Sequence, residues 1–321
     1  MKEMSMKKKI VIIGAAILDV LVQGADKEVF ENGSWPAEDI RMSVGGDGIN
    51  EATILRKLGL PVRLQTIIGD DIPGKIVREH CRKYGIDLNE GNSDGIPTGL
   101  NVVLVQKNGE RNFLTNPQST LRKLTKEHIR LPFPKETKIV SFASIFVFPD
   151  WKDEQLSWLF RQAKEQGAIV CADMTKCKNN ETVKDLSQTL PYVDYLLPNY
   201  EEASMFTGET DIDRIADVLL EAGVKNVVIK WGSRGCYIKN RETQLTIPAV
   251  FGVECVDTTG AGDSFAAGFL YGLYQGYTLE QCGKIANACG ALAVQKLGAA
   301  EGIDNFAQVK QVLMRMEIPG R

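Results

Sequence analysis

The sequence has 321 residues but only two histidines, and none of its seven cysteines forms a C-x-x-C pair. A structural zinc site or a disulfide framework needs paired cysteines or regularly spaced cysteines and histidines, so we expect neither, and reduced thiols instead. An excess of positive charge is also missing, because 38 lysines and arginines face 41 aspartates and glutamates. This balance creates no field that would hold a polyanion, and we therefore expect no nucleic-acid partner.

Long apolar runs are missing as well, since no stretch approaches the roughly 20 residues that a membrane-spanning helix needs. The basic start MKEMSMKKK with the apolar run after it resembles a signal peptide, but Asp19 interrupts the run and no clear cleavage site follows. We interpret the run as a buried first strand that Asp19 closes. The sequence thus predicts a cytoplasmic protein without a membrane partner.

The chain does contain a regular alternation of short apolar runs with longer amphipathic ones. Residues 10–13 are apolar on every side, which is typical of a strand covered on both faces of a parallel sheet. Residues 72–84 and 153–166 carry apolar side chains at helical spacing. The alternation predicts a layered α/β fold with right-handed crossovers around one large core. Further strands are expected at residues 102–105, 139–148, 168–172, 193–197 and 227–229, and further helices at residues 50–58, 211–222 and 279–297.

Two segments interrupt this alternation. Residues 20–44 have turn residues but no helical pattern, and residues 97–115 read as two alternating strands around Asn108-Gly109, which favours a β-hairpin. Both segments fit a small β appendage built from insertions into the main sheet. The α/β core is then expected to consist of residues 1–19, 45–96 and 116–321.

The string VDTTGAGD at residues 256–263 is the most specific chemical motif, and a helical pattern follows it. Glycines ahead of a helix let backbone N–H groups converge, and the N-terminus of a helix favours an anion such as a phosphate. Asp263 lies in the same first turn, where its carboxylate can take the proton of a hydroxyl that attacks phosphorus. The structural alternative is a glycine turn with Asp263 as a helix cap.

A second glycine cluster, GGDGINEA at residues 45–52, also opens a helix. Its glycines permit a close backbone approach to a ligand, while Asp47 and Asn50 offer groups that bind hydroxyls. A structural loop with Asn50 as the N-cap explains the same residues, and the cluster alone leaves both interpretations open.

Together, GGDGINEA and DTTGAGDSFAAGFL resemble the two signatures of the ribokinase-like (PfkB) family of carbohydrate kinases. Between them, IIGDDIPGKIVREHCRKYGID and LLPNYEEASMFTG are similar to further elements of that family, and ANACGALAVQKLGA resembles the stretch that closes its adenine pocket. The resemblance covers nearly the whole chain. It implies a three-layer α/β/α sandwich with a mostly parallel central sheet, and residues 20–44 and 97–115 as a small β-sheet lid over the sugar site.

The resemblance also implies roles for individual residues around ATP and Mg²⁺. The catalytic groups would be Asp263 as the base and Gly260, Ala261 and Gly262 as the anion hole for the migrating phosphoryl group. The groups expected on the nucleotide side are Asn199 and Glu202, which would organise Mg²⁺ through water, the turn residues Lys230, Gly232, Ser233 and Gly235, and Asn287 beside the adenine. For Asn199 and Glu202, an ordinary helix cap is the structural alternative.

On the sugar side, the resemblance implies that Asp19 holds substrate hydroxyls and that Gly45, Gly46, Asp47 and Asn50 complete the pocket. In some members of the family a monovalent cation binds nearby. The matching positions here are Asp257 and Thr259 with the carbonyls of Ala293, Lys296 and Gly298. Gly302 stands where a ligating side chain is sometimes present, so the need for K⁺ is left open.

These features predict an ATP-dependent kinase that phosphorylates a hydroxyl of a sugar or sugar derivative. The alternatives are a nucleoside kinase of the same family and a catalytically weak nucleotide-binding regulator, although a regulator has little reason to retain Asp263 and its glycines. Arg41, Arg111 and Lys176 are candidate anchors for the carboxylate of a sugar acid. Because exposed lid strands have open edges, we expect a homodimer formed through the lid.

Overall fold

The computed structural model describes residues 8–106 and 111–316. Its strands form a large sheet and a separate small one. The predicted α/β fold with a mostly parallel central sheet is thereby confirmed. The strands, in chain order, are β1 (Lys9–Ile13), β2 (Ile17–Gln23), β3 (Asp39–Gly45), β4 (Val62–Ile67), β5 (Asp87–Gly91), β6 (Leu100–Val105), β7 (Arg111–Thr115), β8 (Thr137–Ile145), β9 (Ile169–Met174), β10 (Tyr195–Leu196), β11 (Asn226–Lys230), β12 (Cys236–Lys239) and β13 (Gln244–Ile247).

The large sheet has nine strands in the order β13-β12-β11-β10-β9-β8-β1-β4-β5. All neighbours from β5 to β11 are parallel, while β12 and β13 form an antiparallel edge. Helices cover both faces of the large sheet, and one short helix lies instead between β2 and β3. They are α1 (Val29–Asn32), α2 (Asp47–Lys57), α3 (Ile72–Tyr84), α4 (Asp153–Glu165), α5 (Tyr200–Thr207), α6 (Ile212–Glu221), α7 (Ala261–Gln275), α8 (Leu279–Ala293) and α9 (Phe306–Met316).

Both faces of the large sheet are buried, which explains why its central strands are apolar throughout. In β1, Ile10 and Ile12 pack into the core layer that contains α2, α3, α7, α8 and α9. Val11 and Ile13 point the other way, into the layer that contains α4, α5 and α6. Alternate residues of a strand face opposite sides of a sheet, so helices on both sides require an apolar residue at every position.

The bounds of α3 agree with the predicted helix because local signals fix both of its ends. Asp71 is the N-cap, and its carboxylate accepts a hydrogen bond from the N–H of Gly74 at 2.8 Å. Pro73 occupies the first turn, where no N–H is needed. Gly85 ends the helix in the left-handed conformation, with φ of +65°.

The small sheet has the strand order β3-β2-β6-β7, with β2 and β6 parallel and the outer pairs antiparallel. The predicted turn at Asn108-Gly109 lies outside the described residues. Asp19 does not close the first strand as predicted, since β1 ends at Ile13 and Asp19 lies inside β2. That prediction was wrong because the apolar run continues to residue 18, and only the small residues 14–16 mark the place where the chain changes sheets.

Several strands and one helix end of the core also differ from the prediction. The strands β4, β5, β12 and β13 of the large sheet were not predicted, because three of the six residues of β4 are polar, β5 is mostly polar, and β12 and β13 are only four residues long. Helix α8 ends at Ala293 rather than at residue 297, because the Val294 carbonyl accepts hydrogen bonds from the N–H groups of Val256 and Asp257 at 2.8 and 3.1 Å. Within residues 8–106 and 111–316, no helix combines the length and the apolar character that crossing a membrane requires.

Candidate active site

A cleft with a volume of about 1190 Å³ opens at the carboxyl ends of the parallel strands. Ser144 near the end of β8, Asp173 near the end of β9 and Lys230 at the end of β11 all line it. Open α/β sheets bind ligands outside the carboxyl ends of their strands. Since roughly 300–1,000 Å³ is typical of small-molecule pockets, this cleft is large enough for a nucleotide.

The loop before α7 presents backbone N–H groups to this cleft. Gly260 has a φ of +71°, and a Cβ at this position would collide with the carbonyl oxygen of Ala299, so only glycine fits. Helix α7 begins at the next residue, and Gly262 and Asp263 in its first turn line the cleft. The N–H groups of a first turn have no carbonyl partner within the helix. The N–H of Ala261 donates to the carbonyl of Thr258 at 3.2 Å, so an anion here would meet the N–H groups of Gly262 and Asp263 and the positive end of the helix dipole.

Asp263 is oriented by a residue from the other glycine cluster. The Nδ2 of Asn50 donates a hydrogen bond to Oδ2 of Asp263 at 2.7 Å. Burial raises the pKa of Asp263, whereas the Asn50 hydrogen bond and the nearby charge of Lys230 favour its carboxylate form. Neither side chain caps its helix, because the N-caps are Gly46 and Gly260. The helix-cap alternative is therefore wrong for both residues, and Asp263 presents an oriented side chain at the cleft.

Lys230 and Asp173 form a buried ion pair in the wall of the cleft, with side chains that are only 13% and 6% exposed. Burial alone would lower the pKa of Lys230, but the carboxylates of Asp173 and Glu202 outweigh it and raise this pKa above its ordinary value. We did not identify Asp173 from the sequence. The sequence does contain a feature that could have indicated it, since Asp173 is an aspartate near the end of an apolar run. The same feature led to the prediction for Asp19.

Asn199 and Glu202 cap the start of α5 reciprocally while they line the cleft. Oδ1 of Asn199 accepts a hydrogen bond from the N–H of Glu202, and Oε2 of Glu202 accepts one from the N–H of Asn199, both at 2.8 Å. The structural alternative named for this pair is thus present. The cap uses Oε2 of Glu202, so the other carboxylate oxygen can serve a ligand, and a role toward Mg²⁺ stays a prediction.

The turn after β11 forms another part of the cleft wall. Gly232 and Gly235 adopt φ of +56° and +96°, which favours glycine at both positions. Trp231 stacks on the ring of Tyr200, with 6.3 Å between ring centroids, and the guanidinium of Arg234 lies 4.9 Å from the Trp231 ring. Trp231 therefore belongs to an aromatic and cationic wall, and Ser233 lines the cleft next to it.

Asn287 marks the more apolar end of the cleft. Its Nδ2 donates hydrogen bonds to the carbonyls of Ile247 and Pro248 at 3.1 and 3.0 Å. These bonds fix α8 against the segment after β13. Val250, Ala291, Val294 and other apolar groups line the cleft around this point. A flat aromatic ring can pack between such apolar walls. The contact of Asn287 with adenine stays a prediction.

The residues predicted for the sugar side gather outside this cleft. Asp19 on β2 accepts a hydrogen bond from Nδ2 of Asn101 on the neighbouring β6 at 3.0 Å. Gly45 lies against the carboxylate of Asp19, which a Cβ at residue 45 would displace. Asp47 is engaged locally, because its Oδ1 accepts hydrogen bonds from the N–H groups of Ala15 and Gly48 at 2.7 and 2.6 Å. Gly46 adopts a φ of +102° directly before α2.

At the predicted cation site, Asp257 joins three segments of the chain. Its carboxylate oxygens accept hydrogen bonds from the N–H of Thr259 at 2.8 Å and from the N–H of Gly298 at 2.9 Å. The guanidinium of Arg111, on β7 of the small sheet, forms an ion pair with Asp257 and a hydrogen bond with Oγ1 of Thr259. The carbonyl of Ala293 accepts from the N–H of Lys296 at 3.3 Å. A cationic side chain thus balances the charge of Asp257.

Comparisons with known proteins agree with this fold. A family model described as pfkB family carbohydrate kinase matches residues 7–305. An uncharacterized sugar kinase of Archaeoglobus fulgidus is 29% identical over 78% of this chain and 97% of its own length. The crystal structure of a ribokinase from Thermotoga maritima is 27% identical, with a TM-score of 0.80 over 96% of this chain and 99% of that one. The structure of Arabidopsis thaliana ribokinase complexed with ribose and ATP is 25% identical, with a TM-score of 0.79 over the same shares, 96% and 99%. The chain belongs to the pfkB family of carbohydrate kinases.

Proposed function

We propose that the protein transfers the γ-phosphate of ATP to a hydroxyl of a sugar or sugar derivative, with Asp263 as the general base. The hydrogen bond from Asn50 to Asp263 is the observation that carries this proposal. It joins the two glycine clusters and orients a carboxylate in the first turn of α7, beside the N–H groups that would hold a phosphoryl group. The reaction needs a proton acceptor and an anion site at the same place.

In the reaction, the sugar hydroxyl gives its proton to Asp263 while its oxygen forms a bond to the γ-phosphorus. The bond between that phosphorus and the bridging oxygen of ADP breaks, and ADP leaves with the electron pair. The N–H groups of Gly262 and Asp263 stabilise the negative charge of the phosphoryl oxygens. Positioning and charge stabilisation supply most of the rate enhancement in phosphoryl transfer, so no covalent intermediate on the protein is required.

The carboxylate of Glu202 and the amide of Asn199 fit the needs of Mg²⁺ bound to ATP. Mg²⁺ prefers oxygen ligands and usually keeps several waters, with only one or two carboxylates from the protein. In the described ranges, no group of three or more His, Cys, Asp or Glu side chains forms a metal site, which agrees with binding through water and phosphate. When bound, Mg²⁺ would neutralise charge on the β- and γ-phosphates.

The small sheet has the features of a lid, with residues 20–44 and 97–115 as its predicted segments. Strand pairing puts Asp19, Asn101 and Arg111 on one face of the sheet. That face lies toward the core, because Arg111 contacts Asp257. A lid that carries the sugar-binding Asp19 would close over the substrate and exclude water, which limits wasteful hydrolysis of ATP.

A screen of ADP formation with hexoses, pentoses, sugar acids and nucleosides tests this function. We expect turnover with at least one sugar or sugar acid, and a sugar acid would involve Arg41, Arg111 or Lys176. Activity with nucleosides alone would replace the leading substrate class by the nucleoside kinase. ATP binding without turnover on any acceptor would favour the nucleotide-binding regulator.

The ion pair between Arg111 and Asp257 leads us to propose that K⁺ is dispensable. We expect that replacing K⁺ by tetramethylammonium changes the kcat of the wild-type protein by less than about twofold. In Arg111→Ala, the buried carboxylate of Asp257 loses its cationic partner, and we expect kcat to become dependent on K⁺ by roughly tenfold, about 1.4 kcal/mol. Steady-state kinetics in the two salts measure this. A strong need for K⁺ in the wild type would contradict the proposal.

We also propose that two copies associate through the outer face of the small sheet. Met42 and Leu114 lie on this face, opposite to Asp19, and are 64% and 57% exposed. Burial of such side chains favours association. We expect Met42→Glu to convert a dimer into a monomer in sedimentation experiments. Met314→Glu is the matched control, because Met314 on α9 is also 64% exposed. A wild-type protein that is monomeric at all concentrations would rule out this interface.

A further inference from the structure

The ammonium group of Lys230 lies beside the candidate anion hole in the first turn of α7. Lys230 is the last residue of β11, and its N–H donates to the carbonyl of Pro198 at 2.9 Å, which fixes the backbone. A Cβ added to Gly262 would lie 3.5 Å from Nζ of Lys230. Nζ is therefore close to the N–H groups that would receive the phosphoryl group.

The surroundings of Lys230 keep its charge and its direction fixed. Nζ is paired with Asp173, and this ion pair joins the ends of β9 and β11. Glu202 and Asp263 add further negative charge around Nζ, and with Asp173 they raise its pKa against the opposing effect of burial. Lys230 is therefore a protonated, pre-oriented donor at neutral pH, and it brings a positive charge that backbone N–H groups cannot supply.

We propose that Lys230 is a further catalytic residue, which binds the oxygens of the γ-phosphoryl group during its transfer, and that Asp173 is the positioning residue that aims it. This inference rests on the proposed kinase function. The bonds formed and broken are those already described, the proton goes from the sugar hydroxyl to Asp263, and Lys230 stays protonated throughout. Negative charge spread over the phosphoryl oxygens in the transition state would interact with Nζ more strongly than the bound ATP does.

A structural role is the competing explanation, because Lys230 also neutralises buried carboxylates. Removing one partner of a buried ion pair leaves an uncompensated charge and destabilises the fold. The double variant Lys230→Met with Asp173→Asn removes both charges together and restores the balance without restoring the donor. Lys225→Met is the matched control, since Lys225 directly precedes β11 at its other end and is paired with an aspartate, Asp194.

The test measures kcat, the Kd of ATP and the thermal midpoint of these variants with the best acceptor from the substrate screen. We expect Lys230→Met to lower kcat by about 10²–10³-fold, the range for loss of one transition-state donor. The Kd of ATP should change by less than about fivefold, and Lys225→Met should retain the wild-type kcat. The double variant should regain the thermal midpoint but not kcat. Recovery of kcat to within about tenfold of the wild-type value in the double variant would overturn the proposal.

A binding measurement without any sugar separates this inference from the proposed function. ADP with Mg²⁺ and aluminium fluoride mimics a phosphoryl group in transfer, and titration calorimetry can compare it with ADP and Mg²⁺ alone. We expect Lys230→Met to bind ADP like the wild type but to bind the fluoride complex about 100-fold more weakly. If the substrate screen fails and this difference persists, only the acceptor assignment is wrong. Equal weakening of both ligands would make Lys230 a nucleotide-binding residue and contradict its catalytic role.

Discussion

Asp263→Asn is expected to lower kcat by about 10²–10⁴-fold, the range that a general base contributes, while ATP still binds. The substitution keeps the size of the side chain and can keep the hydrogen bond with Asn50, but an amide cannot accept the proton of the attacking hydroxyl. Initial rates of ADP formation give kcat, and titration calorimetry gives the Kd of ATP. An unchanged Kd would show that the variant is folded and that its nucleotide site is intact.

Asp150→Asn is the control for this variant, because Asp150 is an exposed aspartate. Its kcat should equal that of the wild type. Burial raises the pKa of Asp263, so the wild-type kcat should fall on the acid side as the pH drops through this pKa and the carboxylate becomes protonated. An Asp263→Asn variant whose kcat stays within about tenfold of the wild-type value, roughly 1.4 kcal/mol in the barrier, would show that Asp263 is not the base.

Asp19→Asn is expected to lower kcat/KM for the sugar by about 10²–10⁴-fold and to leave the Kd of ATP unchanged. Each hydrogen bond between a carboxylate and a sugar hydroxyl contributes roughly 1.5–3 kcal/mol, and we expect the two oxygens of Asp19 to make two such bonds. Asn101 already donates to one of its oxygens at 3.0 Å, so the carboxylate is held in place before the sugar arrives. Steady-state kinetics with varied sugar at saturating ATP measure the effect.

Asp39→Asn is the matched control, because Asp39 lies on the neighbouring strand of the small sheet and its side chain is 49% exposed. This variant should keep the wild-type kcat/KM. If Asp19→Asn also stays within about threefold of the wild type, the two hydrogen bonds do not exist in the complex, and the sugar is held elsewhere. A loss of ATP affinity in Asp19→Asn would instead indicate that the small sheet acts on the nucleotide.

The parts of the fold that the sequence predicted are those with strong local signals. The apolar run of β1 and the caps of α3 at Asp71 and Gly85 each depend on a few adjacent residues. The edge strands β12 and β13 lack such a signal, because each is only four residues long. The sequence also did not predict that the chain passes from the large sheet to the small sheet between β1 and β2. The residues on both sides of this turn are apolar or small, so no polar residue marks it.

The candidate site likewise contains some residues that local sequence patterns reveal and others that only the fold brings together. Glycine before a helix is a local pattern, so the clusters around Gly46 and Gly260 were found from the sequence. The ion pairs that complete the site join distant residues, for example Asp173 with Lys230 and Arg111 with Asp257. Spacing along the chain contains no information about such pairs, because the order of the strands in the two sheets brings them together.

The transfer of phosphate from ATP to a sugar is the central claim, and the stoichiometry of products tests it most directly. Phosphorus NMR and mass spectrometry of a reaction with the best acceptor count ADP, free phosphate and phosphorylated sugar together. We expect one phosphorylated sugar for each ADP, with little free phosphate, and almost no product with Asp263→Asn. ADP with free phosphate in place of phosphorylated sugar, or no ADP with any acceptor, would contradict the assignment of this protein as a sugar kinase.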